Sequence, residues 1–351
     1  MKTNAYLFQG LLFLFLVAAG CGNPSPGIEK QAGRPEYPVV GKIERFNPAL
    51  DSILPPGAVI EVLAEGFAWS EGPVWIADGG YLLFTDIPPN KIMRWSEGQK
   101  TADLYLSPSG YTGEKIRGGE PGANGLLLDP SGKLVLCQHG DRRVARMNSP
   151  LGKPAANFET LADKWNGKRL NSPNDAVFDR KGNLYFTDPP YGLEKQMDDP
   201  VKEIPFQGVY CRRPDGKVDL LIDSLTRPNG IAFSPDEKTL YIANSDPQKA
   251  VWMAYDVSED GGLKNGRVFY DATDKVGDAM PGLPDGLRTN PRGVLFATGP
   301  GGVWIFKPDG TVLGRINTGS ATANCVFGND GKVLYMTAAK YLMRVKVAPI
   351  Q

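Results

Sequence analysis

The chain has 351 residues, with 39 Lys and Arg against 39 Asp and Glu, so its formal net charge is zero. That balance offers no attraction to a polyanion such as nucleic acid, and a single histidine, His139, excludes a multi-histidine zinc site. The length suits one large domain or two modest ones, and 42 glycines with 30 prolines fit many short strands joined by tight turns.

Taken in chain order, the first element is a leader. Lys2 precedes an apolar run over residues 11–17, then Ala18-Ala19-Gly20-Cys21. The run is too short to span a bilayer and reads as a secretory signal over residues 1–20. A cysteine directly after Ala-Ala-Gly resembles a bacterial lipobox, so cleavage before Cys21 and its lipidation are expected. Gly22 in place of an aspartate points to the outer membrane, facing the periplasm. Residues 21–50, broken by Pro24, Pro26, Gly27, Gly33, Pro35 and Pro38, read as a flexible tether. Residues 51–351 read as the folded domain, held to the membrane only through the Cys21 lipid. Cys137, Cys211 and Cys325 form no CxxC and are expected to be buried thiols.

Within the domain one short phrase recurs six times, each time opening on a side-chain oxygen. The phrases begin at Glu71 (EGPVW), Asn124 (NGLLLD), Asn174 (NDAVFD), Asn229 (NGIAFS), Asp285 (DGLRTN) and Asn324 (NCVFGN), at spacings of 53, 50, 55, 56 and 39 residues. A second apolar run follows each after a turn. Third strands are predicted over residues 91–95, 143–147, 208–211, 251–255, 302–306 and 341–347, and fourth strands over 101–106, 217–222 and 312–316. A period near fifty residues with four strands per unit predicts an all-β, six-bladed β-propeller. From Asn324 to the end the chain leaves room for three strands only, so residues 59–64 are expected to supply the fourth and close the ring.

In a propeller the innermost strands line the central channel, which places the six phrase-opening residues at one end of it. Second strands return to that end, bringing Asp86, Gln138, Asp188 and Asn244, with His139 next to Gln138. Long connections over 107–123, 190–207 and 271–283 gather there too, and loops of that length commonly bind or cover a ligand. The expected site is therefore a polar pocket at one mouth of the channel. Carboxylates and amides without thiolate or imidazole favour a hard divalent cation, calcium first, then magnesium or manganese.

SEGPVW at 70–75, NSPND at 171–175, TDPPYG at 187–192, RPNG at 227–230 and PDG at 284–286 occur in an order that resembles the gluconolactonase family, which includes regucalcin and luciferin-regenerating enzyme. The resemblance runs from about residue 58 to the end. It implies a six-bladed propeller that hydrolyses a small-molecule lactone with one divalent metal, Ca2+ before Mg2+, Mn2+ or Zn2+. Carried over by motif, Glu71, Asn229 and Asp285 match metal ligands. Asn174, also counted among the candidate metal ligands, matches a residue beside the metal that contacts substrate and assists catalysis. Asp285 is also the implied general base, so that it or metal-activated water attacks a polarised carbonyl. Regucalcin-like chains carry an arginine two residues before the asparagine; here that place is Ser172, which leaves the sugar open.

Other residues are weighed against blander roles. Asn and Asp before Gly favour turns, a reading that the in-register Glu71 does not share. Asn124 is expected to line the pocket and Asn324 to satisfy backbone groups. His139, Asp188 and Tyr191 are secondary candidates for substrate contact. Arg142 and Arg143 read as a solvated strand start, and Trp95, Trp252 and Trp304 as packing between blades. No Gly-x-Ser-x-Gly elbow supports a serine hydrolase. The competing function is a non-catalytic propeller that binds a ligand or envelope partner around a structural metal.

Overall fold

Strands dominate the computed structural model, which describes residues 36–115 and 117–349. The leader and the expected lipidation of Cys21 lie outside the described residues. No helix among the described residues is long and apolar enough to cross a membrane.

Six antiparallel sheets follow one another along the chain as the blades of a six-bladed β-propeller. Their inner strands are Ser70–Ile76, Ala123–Leu128, Ala176–Phe178, Pro228–Phe233, Leu287–Thr289 and Thr322–Gly328. Each touches the next, and the last touches the first. Second strands such as Tyr81–Asp86 and Leu134–Gln138 are buried along their whole length, because a neighbouring blade covers each face of the sheet. That explains why they read as unbroken apolar runs rather than alternating ones.

Aromatic side chains fill the gaps between blades. Trp95 of blade 1 packs against Tyr335 of blade 6 with ring centroids 5.8 Å apart, and Trp252 of blade 4 meets Phe306 of blade 5 at 5.4 Å. Cys137, Cys211 and Cys325 are buried and free.

The ring closes as the strand count requires: Ile60–Glu65 pairs antiparallel with Tyr341–Lys346. Arg344 fastens this seam, donating from Nε to Glu61 at 2.7 Å and from Nη1 to Glu97 of blade 1 at 2.7 Å. Part of the stretch expected to be tether as far as residue 50 is instead strand. Val39–Val40 adds a fifth strand to blade 6, and Lys42–Arg45 a fifth strand to blade 5. Between them Gly41 turns at φ +60, where a Cβ would lie 2.1 Å from the Asn317 carbonyl oxygen. Leu50 and Leu54, wholly buried, then anchor the segment beneath these two blades, each worth about 1.5–3 kcal/mol. Strands of two and four residues are too short to register as a period, so the prolines dominate the sequence pattern.

Candidate active site

The six phrase-opening residues do gather at one end of the channel, and glycine is what lets them. A Cβ on Gly72, which sits at φ +48, would lie 1.9 Å from the Asn124 carbonyl oxygen of the next blade. A Cβ on Gly286 would lie 2.0 Å from Asn324 Cγ. The residue after the oxygen-bearing one is therefore glycine in most repeats for close approach of neighbouring inner strands, rather than as a turn former. Threonines at the ends of second strands add bonds across the blades. Thr85 Oγ1 donates to the Asn124 carbonyl at 3.1 Å, and Thr187 Oγ1 to that of Asn229 at 2.7 Å.

Above this ring opens a cavity of about 620 Å³ whose lining includes Glu71, Asn124, Asn174, Tyr191, Asn229 and Asp285. The floor is rich in acceptors without donors. Asp285 Oδ1, Asn174 Oδ1 and Asn124 Oδ1 are buried with no hydrogen-bond partner. Glu71 Oε2 accepts from the Gly72 N–H at 2.6 Å and from Asn324 Nδ2 at 3.2 Å. Burial pushes the Glu71 carboxyl up to about 8, with the Asp175 charge adding to the rise and the Gly72 N–H opposing it. Burial also holds Asp285 well above the usual carboxylate range, reinforced by the charges of Glu71, Asp175 and Glu120. Beneath them Asp175 faces Arg288, a cationic partner at 3.4 Å.

These residues fit a hard dication. Two carboxylates and two amides converge, oxygen atoms stand unpaired, and the burial and neighbouring negative charge that raise both carboxyls are what a cation would offset. Among the described residues no three His, Cys, Asp or Glu side chains form a metal cluster, so the amide oxygens of Asn174 and Asn229 must complete any such set.

Several expectations from sequence need correcting. Asp188 does not line the cavity. Its Oδ2 accepts from the Asn171 N–H and its Oδ1 from the Ser172 N–H, both at 2.7 Å, so it fixes the backbone leading into Asn174. Asp86 does the same for Ala68 and Trp69, and Asn244 for Arg227, so the second-strand ends orient the phrases instead of facing substrate. His139 is fully buried and does not line the cavity either; its Nδ1 lies 3.3 Å from Glu120 Oε2, behind the wall. Arg142 is no solvated strand start: at φ 59 and buried, it donates from Nε to the Leu170 carbonyl at 2.8 Å and from Nη1 to that of Val201 at 3.0 Å.

Two other residues fall where the sequence places them. Tyr191 is part of the wall, and Asn324 accepts from the Cys325 N–H while bracing Glu71. The segment 276–283 forms another side of the cavity. Sequence reading misses Glu120, Arg227 and Trp69 in the lining, and the Asp175–Arg288 pair below it. Arg227 stands two residues before a phrase-opening asparagine, a position that could draw notice.

Residues 69–340 match the SMP-30/Gluconolactonase/LRE-like region. Gluconolactonase of Zymomonas mobilis is 40% identical over 318 residues, covering 88% of this chain and 86% of that protein. A solved gluconolactonase from Xanthomonas campestris superposes with a TM-score of 0.73 at 30% identity, covering 90% of this chain and 99% of that one. At 18% identity, a structure described as a calcium-binding regucalcin of Agrobacterium tumefaciens shares the fold, with a TM-score of 0.63 over 82% of this chain and 94% of that one. The chain belongs to the SMP-30/gluconolactonase/LRE-like family.

Proposed function

We propose that this protein is a gluconolactonase-like lactone hydrolase that depends on a divalent metal, calcium in the first place. One observation carries the reading: the unpartnered buried oxygens of Asp285 and Asn174 converge with the Glu71 carboxylate on the floor of a single cavity. Family membership supplies the reaction class, and the all-oxygen donor set favours a hard cation over a soft one.

Glu71, Asn229 and Asp285 would hold the cation, with Asn174 beside it. The bound ion would supply Lewis acidity toward the lactone carbonyl. Asp285, with one oxygen free of any protein donor, takes a proton from the attacking water and returns it to the ring oxygen as the C–O bond breaks. Lactone plus water thus becomes the open hydroxy acid. Asn174, whose backbone approach is set by Asp188, would orient the carbonyl. Lipidation at Cys21 and a place on the periplasmic face of the outer membrane complete the proposal; growth with radiolabelled palmitate would label the wild type but not Cys21→Ser.

The deciding assay is hydrolysis of glucono-1,5-lactone and other lactones with and without chelator. Activity that vanishes in chelator and returns with calcium supports the reading. Full activity of Asp285→Asn in excess chelator overturns it, and no turnover of any lactone would favour the binding propeller instead.

A further inference from the structure

Besides the floor carboxylates Glu71 and Asp285, three charged side chains line the cavity: Glu120, Arg227 and the exposed Asp278. Arg227 is the sole lysine or arginine in the lining. Its backbone is pinned, with its N–H donating to Asn244 Oδ1 at 2.9 Å and its carbonyl accepting from the Ser245 N–H at 2.8 Å. Its guanidinium nevertheless makes no hydrogen bond or ion pair among the described residues. Glu120 stands elsewhere in the same lining, its side chain one-third exposed, and its charge reaches both Glu71 and Asp285.

The segment carrying Glu120 is firmly held. Asn90 Oδ1 accepts from the N–H groups of Ser109, Gly110 and Tyr111, at 3.0, 2.7 and 3.2 Å. Arg117 Nη1 donates to the Gly140 carbonyl at 2.8 Å, and the Gly122 N–H to that of Ile87 at 3.1 Å. Within this frame the nearest charged or ring group to the Glu120 carboxylate among the described residues is the wholly buried His139, whose Nδ1 lies 3.3 Å away without making a hydrogen bond.

A guanidinium without acceptors and a carboxylate with one neighbour lose hydration when a ligand fills the cavity, unless the ligand replaces what water gave. A hydroxyl group serves both, since it donates to a carboxylate and accepts from a guanidinium. A lactone with an apolar tail would leave both unpaired. An anionic lactone would suit Arg227 but meet Glu120 and the acidic floor. Resting on the lactone-hydrolase reading, we infer that Glu120 and Arg227 determine specificity by binding the hydroxyl groups of a neutral, polyhydroxylated lactone.

The test compares glucono-1,5-lactone with δ-valerolactone, which has the same ring and no hydroxyls, in the calcium-loaded full-length protein. The ratio of their kcat/KM values should fall by at least about tenfold in Glu120→Ala and in Arg227→Met, through KM for the hydroxylated substrate. Melting temperatures identify any variant that fails to fold, in which case Glu120→Gln and Arg227→Lys take its place. An unchanged ratio, or equal losses on both substrates, overturns the inference while leaving the hydrolase reading intact. Failure of the wild type on both lactones overturns the two together.

Discussion

Asn324 Nδ2 donates to Glu71 Oε2 at 3.2 Å, joining the opening residue of the last repeat to that of the first, 253 positions apart. The bond makes Asn324 a brace for a proposed metal ligand. Asn324→Ala should cost about 1–3 kcal/mol of stability through the donor lost from a buried carboxylate. Calcium affinity, read by calorimetric titration, should weaken by roughly tenfold.

The raised carboxyls give the metal-free protein a distinctive pH response. Burial lifts Glu71 from 4.5 to about 8, so the folded state favours its protonated form. Stability from this group is complete below pH 4.5 and is lost as pH rises through about 8. In chelator, the wild type should therefore lose stability relative to Glu71→Gln across that window, as followed by denaturant unfolding at several pH values. Saturating calcium should reverse the order at about pH 8, because the ion binds the ionised carboxylate.

Asp285 combines proposed ligation with proton transfer. Asp285→Asn should reduce kcat by about 10²- to 10⁴-fold while the circular dichroism spectrum stays that of the wild type. Steady-state kinetics at fixed calcium tests this.

Asp188 acts at one remove. Each of its oxygens accepts a backbone N–H, from Asn171 and from Ser172, and an asparagine could serve only one of them. Asp188→Asn should destabilise by about 1–3 kcal/mol and lower kcat, as Asn174 loses its fixed approach. Thermal melts and turnover measured on the same preparation would show both effects.

Gly72 tests the packing of the ring itself. Its φ is +48, and an added methyl would stand 1.9 Å from the Asn124 carbonyl oxygen, which leaves no room for alanine. Gly72→Ala should cost more than about 3 kcal/mol, combining backbone strain with overpacking. A melting temperature indistinguishable from that of the wild type would contradict this account.

The propeller is legible in the sequence because the repeat carries it: six phrases at near-regular spacing, each followed by an apolar run, leave few alternatives. The pocket floor is legible for the same reason, since Glu71, Asn174, Asn229 and Asp285 occupy equivalent places. Glu120 and Arg227 are not, because residues of the loops and the strand approaches obey no period. For Asp188 and His139 the strand pattern gives the correct end of the channel but the wrong surface. Such a pattern fixes which end a residue reaches, whereas its partners decide whether it faces cavity or backbone. The short strands Val39–Val40 and Lys42–Arg45 escape notice because only their pairing with distant chain defines them.

That pairing bears on how the domain folds. Glu61 meets Arg344 across 283 residues, and Lys42–Arg45 needs partners at 314–317. The first strands of the domain therefore have no partner edge until the last ones are in place. Blades 1 to 4 are built from neighbouring stretches of chain, but blades 5 and 6 are completed only by strands from both ends of the domain. A polypeptide cut short before Tyr341 should hence expose those waiting edges to other chains, so truncation would be betrayed by aggregation rather than by a smaller soluble propeller.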